Sequence, residues 1–157
     1  MTSKVLVALR VPVNPAQAFE AFTRQIGSWW QSHGLFAVTD EGDGTLAFEA
    51  QAGGRLWTHL PGGAEFEIGR IRVWEPGERL VFSWRQASFA PEQSTEVEVR
   101  FEAVGGQTRI SVEHRAWDSI PRGHVARHGF PEHSTLQHVA NWWKVSLNSL
   151  KMSLGAP

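Results

Sequence analysis

The chain contains no cysteine, which excludes disulfides, thiol nucleophiles and thiolate metal sites. Neither charge is in excess, with 15 basic residues against 16 acidic ones. The clustered Lys and Arg that nucleic acid or an anionic membrane rewards are therefore missing. No apolar run approaches the roughly 20 residues needed to cross a bilayer. Met1-Thr2-Ser3-Lys4 leads into a strand without the apolar stretch of a secretory leader. Together these absences predict a cytoplasmic protein with neither nucleic acid nor membrane as partner. At 157 residues it reads as a single domain, 1–157, long enough to bury about two-thirds of its unfolded surface.

What the chain does have is indole. Tyrosine is absent, and the aromatic complement is 8 Trp and 9 Phe. Rings of this kind bury about 150–250 Å² each, so the indoles alone can hide roughly 1,200–2,000 Å². A near-neutral domain cannot leave that area in water without aggregating. Most of the rings must line a core, a cavity or an interface.

The local patterns are regular. Val5, Val7, Leu9 and Val11 alternate along an opening strand. Asn14 is placed to cap a helix with Pro15 at its first position, where a missing backbone donor costs nothing. Ala18, Phe19, Phe22 and Ile26 form that helix's apolar stripe, and Ser28-Trp29-Trp30-Gln31 reads as a second short helical turn. From Leu35 to His114 the chain is β in character, punctuated by Gly- and Pro-containing turns. Strands are predicted near 45–50, 54–60, 65–74, 79–86, 94–103 and 107–115, joined as a meander. In 65–74 Phe66 and Ile68 share one parity and Ile71 and Val73 the other, which predicts a bulge at Gly69. A final helix is expected to start with Ser134 and Gln137 in capping-box spacing. Its apolar stripe runs Leu136, Ala140, Trp143, Leu147, Leu150, Leu154.

One strand, two helices, six meandering strands and a long last helix close most economically when the sheet curls around that helix. The predicted class is α+β: a curved antiparallel sheet of about seven strands around a long C-terminal helix, with two short helices between strands 1 and 2. The opening strand followed by Val13-Asn14-Pro15-Ala16-Gln17-Ala18-Phe19 belongs to a recognisable series. It continues with Trp29-Trp30, Gly53-Gly54-Arg55-Leu56, Gly69-Arg70-Ile71, Trp74-Glu75-Pro76-Gly77-Glu78-Arg79-Leu80-Val81-Phe82-Ser83-Trp84 and Val112-Glu113-His114-Arg115-Ala116-Trp117, and ends in the helix carrying Trp142. In order and spacing it resembles the START-like (polyketide cyclase/SRPBCC) superfamily with its helix-grip fold. Within that superfamily it resembles the domain homologous to the activator of the ninety-kilodalton heat-shock-protein ATPase. The family more often has Gly where this chain has Ala116. Its eukaryotic activator carries an additional N-terminal domain with no counterpart in these residues, so the family name is not carried over as the function.

The resemblance implies a hollow between sheet and helix that holds a small apolar molecule, aromatic or lipid-like. Relatives of this fold include cyclases and hydrolases acting on ligands held there, so an enzyme is the first alternative. A stress or chaperone-interaction module using the outer sheet face is the second. A second copy of the chain and a chaperone are the remaining candidate partners, and no cofactor is expected. On parity His114 falls with Ile110 and Val112 on the inward side. It reads either as a polar anchor or proton shuttle at the cavity wall, or as a neutral core histidine bonded to a backbone group or a neighbour such as Asp118. Phe82 and Trp84 point inward on one strand, Trp57 has either parity, Trp142 lies at the edge of the helix stripe, and Trp29, Trp30 and Trp117 sit on connections at the rim. These eight residues, Trp29, Trp30, Trp57, Phe82, Trp84, His114, Trp117 and Trp142, are the predicted ligand-binding set. Five of the seven histidines fall between 114 and 138, but Pro121, Gly123, Gly129 and Pro131 make that stretch a loop over the cavity mouth rather than a metal-binding helix.

Overall fold

Asn14 starts the first helix as its side chain predicts. In the computed structural model, which describes residues 4–31, 36–121 and 123–155, its Oδ1 accepts from the Gln17 N–H at 2.8 Å, and the Gln17 side chain accepts from the Asn14 N–H in return. That reciprocal box launches α1 (Pro15–Arg24), and α2 (Ile26–Trp29) follows at once. Before them comes β1 (Val5–Val11). After them come β2 (Thr45–Phe48), β3 (Arg55–His59), β4 (Glu65–Glu75), β5 (Arg79–Trp84), β6 (Thr95–Val104), β7 (Gln107–Arg115) and a long helix α3 (Glu132–Ser153). Leu35, where the β-rich part is expected to begin, lies outside the described residues. The seven strands form one antiparallel sheet in the order β1-β7-β6-β5-β4-β3-β2. No helix among the described residues is long and apolar enough to cross a membrane.

The parity slip in β4 is resolved by two bulges that flank Gly69. Ile68 is the extra residue against β3 and Arg72 the extra residue against β5. Gly69 itself is where backbones crowd, since a Cβ there would lie 1.7 Å from the Ser83 carbonyl oxygen. No other residue fits that approach.

The start of α3 differs from expectation. Pro131 occupies the N-cap, and the helix begins at Glu132, so Ser134 lies inside the first turn. Pro131 has no N–H to leave orphaned, its carbonyl takes the Thr135 N–H at 2.9 Å, and Glu132 places a negative charge at the positive helix end. The buried face also differs from the expected stripe: Thr135, Val139, Trp142, Trp143, Ser146, Leu147 and Leu150 are buried, whereas Leu136 and Ala140 are half-buried. Trp142 therefore moves from the edge of the stripe to its centre.

The opposite sheet face is charged. Arg115 reaches Glu96, Glu98 and Glu113 at 2.6–2.7 Å, and Arg79 and Arg100 also close on Glu98. Burial would raise the Glu98 pKa, but hydrogen bonds from Arg115 and Arg79 and the charge of Arg100 override it and bring it down to about 2.

Candidate functional site

Alternation along the strands brings three polar or aromatic positions to one end of the sheet, on the side that faces α3. Trp84 ends β5, Thr95 begins β6 opposite it, and His114 lies near the end of β7. Trp143 comes down from α3. Its indole Nε1–H donates to His114 Nδ1 at 3.0 Å, so that nitrogen carries no proton. The proton must then sit on Nε2, which donates to Thr95 Oγ1 at 2.7 Å. The Thr95 hydroxyl passes the direction on to the Trp84 carbonyl at 3.2 Å. Every donor in this chain has its acceptor. His114 is fully buried, and burial pushes its pKa down to about 3. It is thus a neutral imidazole with both nitrogens engaged, bonded to Thr95 and Trp143 rather than to Asp118. A general base needs a free lone pair, and His114 has none in this arrangement.

Around this chain the rings touch one another. Trp84 and Trp142 have centroids 5.3 Å apart, Trp30 lies 5.4 Å from Trp84 and 5.5 Å from Trp142, and Trp117 lies 5.2 Å from His114. Phe36 stacks on Trp142 at 5.5 Å. Trp29, Trp84, Trp117, Trp142 and Trp143 are each no more than 1% exposed. The expected open hollow walled by indoles is therefore not what these residues form. The rings are large enough, and α3 close enough, that they pack against each other and occupy the space themselves.

Hydrogen bonding divides this cluster. Trp29 donates to the Ala21 carbonyl and Trp30 to Asp43 Oδ2. By contrast the indole N–H groups of Trp84, Trp117 and Trp142, together with the Ser146 hydroxyl, are buried without a hydrogen-bond partner in the protein. Buried side-chain polar atoms usually have a partner, and here three donors of one kind lack it in one cluster.

Of the predicted set, Trp29, Trp30, Trp84, His114, Trp117 and Trp142 are brought together. Phe82 is buried one pair further along β5, against Phe48 at 5.2 Å. Trp57 is not with them. Its neighbours Leu56 and Thr58 are the buried ones, and Trp57 lies half-exposed on the other face with the Arg55 guanidinium 5.6 Å from its ring. Residues missed from the sequence are Trp143, Thr95, Gln86 and Ser146. Parity carried a signal for two of them, since Thr95 continues Val97-Val99-Phe101 and Gln86 continues Phe82-Trp84. Ser146 lies one helical turn beyond Trp142.

A strap from Ala116 to Pro131 closes this end. Ala116 and His128 take left-handed backbone, with φ of 69° and 52°, a costly conformation for a residue with a Cβ. Between them lie single 3₁₀ turns at Trp117–Ser119 and Val125–Arg127. The predicted loop is therefore partly ordered. His124 caps the second turn by accepting the Ala126 N–H on Nδ1, and its Nε2–H donates to the Ser88 carbonyl. Arg127 is buried and donates to the carbonyls of Trp117 and Ile120 and, at 2.8 Å, to Glu132. Beside the strap a surface depression of about 430 Å³ is framed by residues 37–40, 86–88 and 125–128.

Comparison with known proteins gives a consistent picture. CalU16 from Micromonospora echinospora superposes with a TM-score of 0.63 at 20% identity, covering 98% of this chain and 75% of that one. The solution structure of the Aha1 dimer from Colwellia psychrerythraea matches with a TM-score of 0.60 at 19% identity, over 96% and 95% of the two chains. DynU16, a protein of the dynemicin biosynthetic locus, gives a TM-score of 0.67 at 19% identity, with 97% of this chain spanning 47% of DynU16. These likenesses establish the helix-grip fold. No curated protein sequence matches the chain. Residues 12–155, nearly the whole chain, match one protein family, and the chain belongs to it: the family described as activator of Hsp90 ATPase homolog 1-like protein.

Proposed function

We propose that the chain is a binding domain for a small, largely apolar molecule, aromatic or lipid-like, that carries an oxygen acceptor and is taken up among Trp84, Trp117 and Trp142. The observation that carries this reading is the set of three buried indole N–H groups with no acceptor in the protein. A buried donor left unmade costs about 1–3 kcal/mol, and an acceptor-bearing ligand recovers that cost while a hydrocarbon does not. Because the rings fill their own space, uptake requires them to turn aside, so binding is coupled to rearrangement of the cluster.

The test is a tryptophan-fluorescence titration with 2-acetylnaphthalene against 2-ethylnaphthalene, which has the same ring but no acceptor. The ketone should bind the more tightly, and Trp142→Phe, which removes one of the three donors, should reduce the preference. Equal binding of both probes, or saturable binding of neither, removes the reading. The likeness to a solved dimer supports a second copy of the chain as a further partner; sedimentation equilibrium that finds only monomer would remove that part.

A further inference from the structure

The two edges of the sheet, β1 and β2, are unlike. β2 has four residues, whereas β1 has seven. On an edge strand every second residue turns its N–H and C=O away from the sheet. Among the described residues no strand pairs with that outer edge of β1, and no other backbone group bonds to it. Apolar side chains stand exposed on both sides of the same edge. Leu6, on the charged sheet face beside Glu98 and Glu113, is 65% exposed, and Val145, on α3, is 47% exposed. Val145 frames an open groove of about 400 Å³ with Lys144, Asn148 and the β1 residues Val7, Ala8 and Leu9.

The backbone groups of a free strand edge are matched in full by another strand. β2 of a second copy is a poor mate, because four residues leave much of β1 unpaired and the joining of unlike edges generates an open-ended row of copies. β1 against β1 closes at two. Charge then selects the register. A pairing symmetric about one residue sets even positions against even ones, so inward side chains stay inward. Centred on Val7, it would put Lys4 against Arg10 of the other copy, two like charges directly opposite. Centred on Ala8, it would put Leu6 against that arginine. Centred on Leu6, it joins the two exposed leucines and sets Lys4 against Ala8. We propose that β1 is the seam of a two-fold dimer, paired antiparallel with the β1 of a second copy and centred on Leu6, so that one continuous sheet runs through both copies. This rests on the dimer reading above and fixes which surface forms the contact.

The absence of cysteine makes the test direct. Leu6→Cys introduces one thiol at an exposed position. Across the proposed axis the two Cα atoms lie about 4.5–5.5 Å apart, within the span of a disulfide. Arg10→Cys, on the same face of the same strand, places its Cα atoms four residues either side of the axis, about 27 Å apart. Oxidation with diamide, at a concentration where sedimentation equilibrium shows the unmodified chain as a dimer, should convert most of Leu6→Cys to a covalent dimer and little of Arg10→Cys. Leu6→Lys, which sets two ammonium groups on the axis, should raise the dimer dissociation constant about tenfold or more. A monomer at every concentration removes the dimer reading and this one with it. A dimer whose dissociation constant Leu6→Lys leaves unchanged, or no excess of cross-linking at position 6 over position 10, overturns the seam alone and leaves the dimer reading standing.

Discussion

Trp143 and Trp142 are sequence neighbours, equally buried, and opposite in bonding. Trp143 feeds a chain of three directed hydrogen bonds that ends on the Trp84 carbonyl and ties α3 to β5, β6 and β7. Trp142, with Trp84 and Trp117, presents an N–H that nothing in the protein accepts. The same side chain thus does structural work on one side of the cluster and holds unused hydrogen-bonding capacity on the other. Burial alone does not distinguish the two roles; the direction of each N–H does.

The hydrogen-bonded side of the cluster is the more fragile. His114→Ala removes the acceptor of Trp143 and the donor to Thr95 and leaves a cavity, so chemical denaturation should show a loss of about 3–5 kcal/mol. Acid attacks the same point. With a folded pKa of about 3 against an ordinary 6.5, the unfolded state binds the extra proton throughout that window. The stabilisation is complete above pH 6.5 and is lost as pH falls toward 3, roughly 3 kcal/mol of it by pH 4. Urea melts at pH 7 and pH 4 should show this, and His114→Gln should flatten the dependence; an equal slope in both proteins would refute it. Trp143→Phe comes next, because it loses ring volume and also orphans His114 Nδ1, a cost of about 2–3 kcal/mol. Trp142→Phe sharpens the contrast. It loses similar volume but removes an unpaired donor, so its net cost should stay within about 1 kcal/mol, and equal destabilisation by the two would show that the two indoles do not differ in role. Trp57→Ala, outside the cluster altogether, should cost the least and leave ligand response unchanged in the fluorescence titration.

Much of the fold was readable because it depends on local chemistry. The Asn14-Pro15 start, the turn-bounded strands and the parity slip around Gly69 each follow from a few adjacent residues. The phase of α3 was harder. Ser134 and Gln137 have the right spacing for a cap, but Pro131 takes the N-cap three residues earlier, and which face is buried depends on how the helix lies against the sheet. The hollow was not readable at all. Whether inward rings wall a void or meet each other depends on the separation between α3 and the sheet, which no local pattern encodes. Inward parity of Thr95 and Gln86 was visible, yet their roles depend on partners distant in sequence: Thr95 on His114, Gln86 on Ala37.

Arg127 gives the strap an unusual dependence. Its guanidinium does for an irregular stretch what a ladder of amides does for a helix, holding the carbonyls of Trp117 and Ile120 at one side and the carboxylate of Glu132 at the other. The exit from β7 and the first turn of α3 are therefore fastened to a single planar cation. A lysine there, with one compact charge instead of a fork, would release one end or the other, and the two termini of the connection would lose their order together.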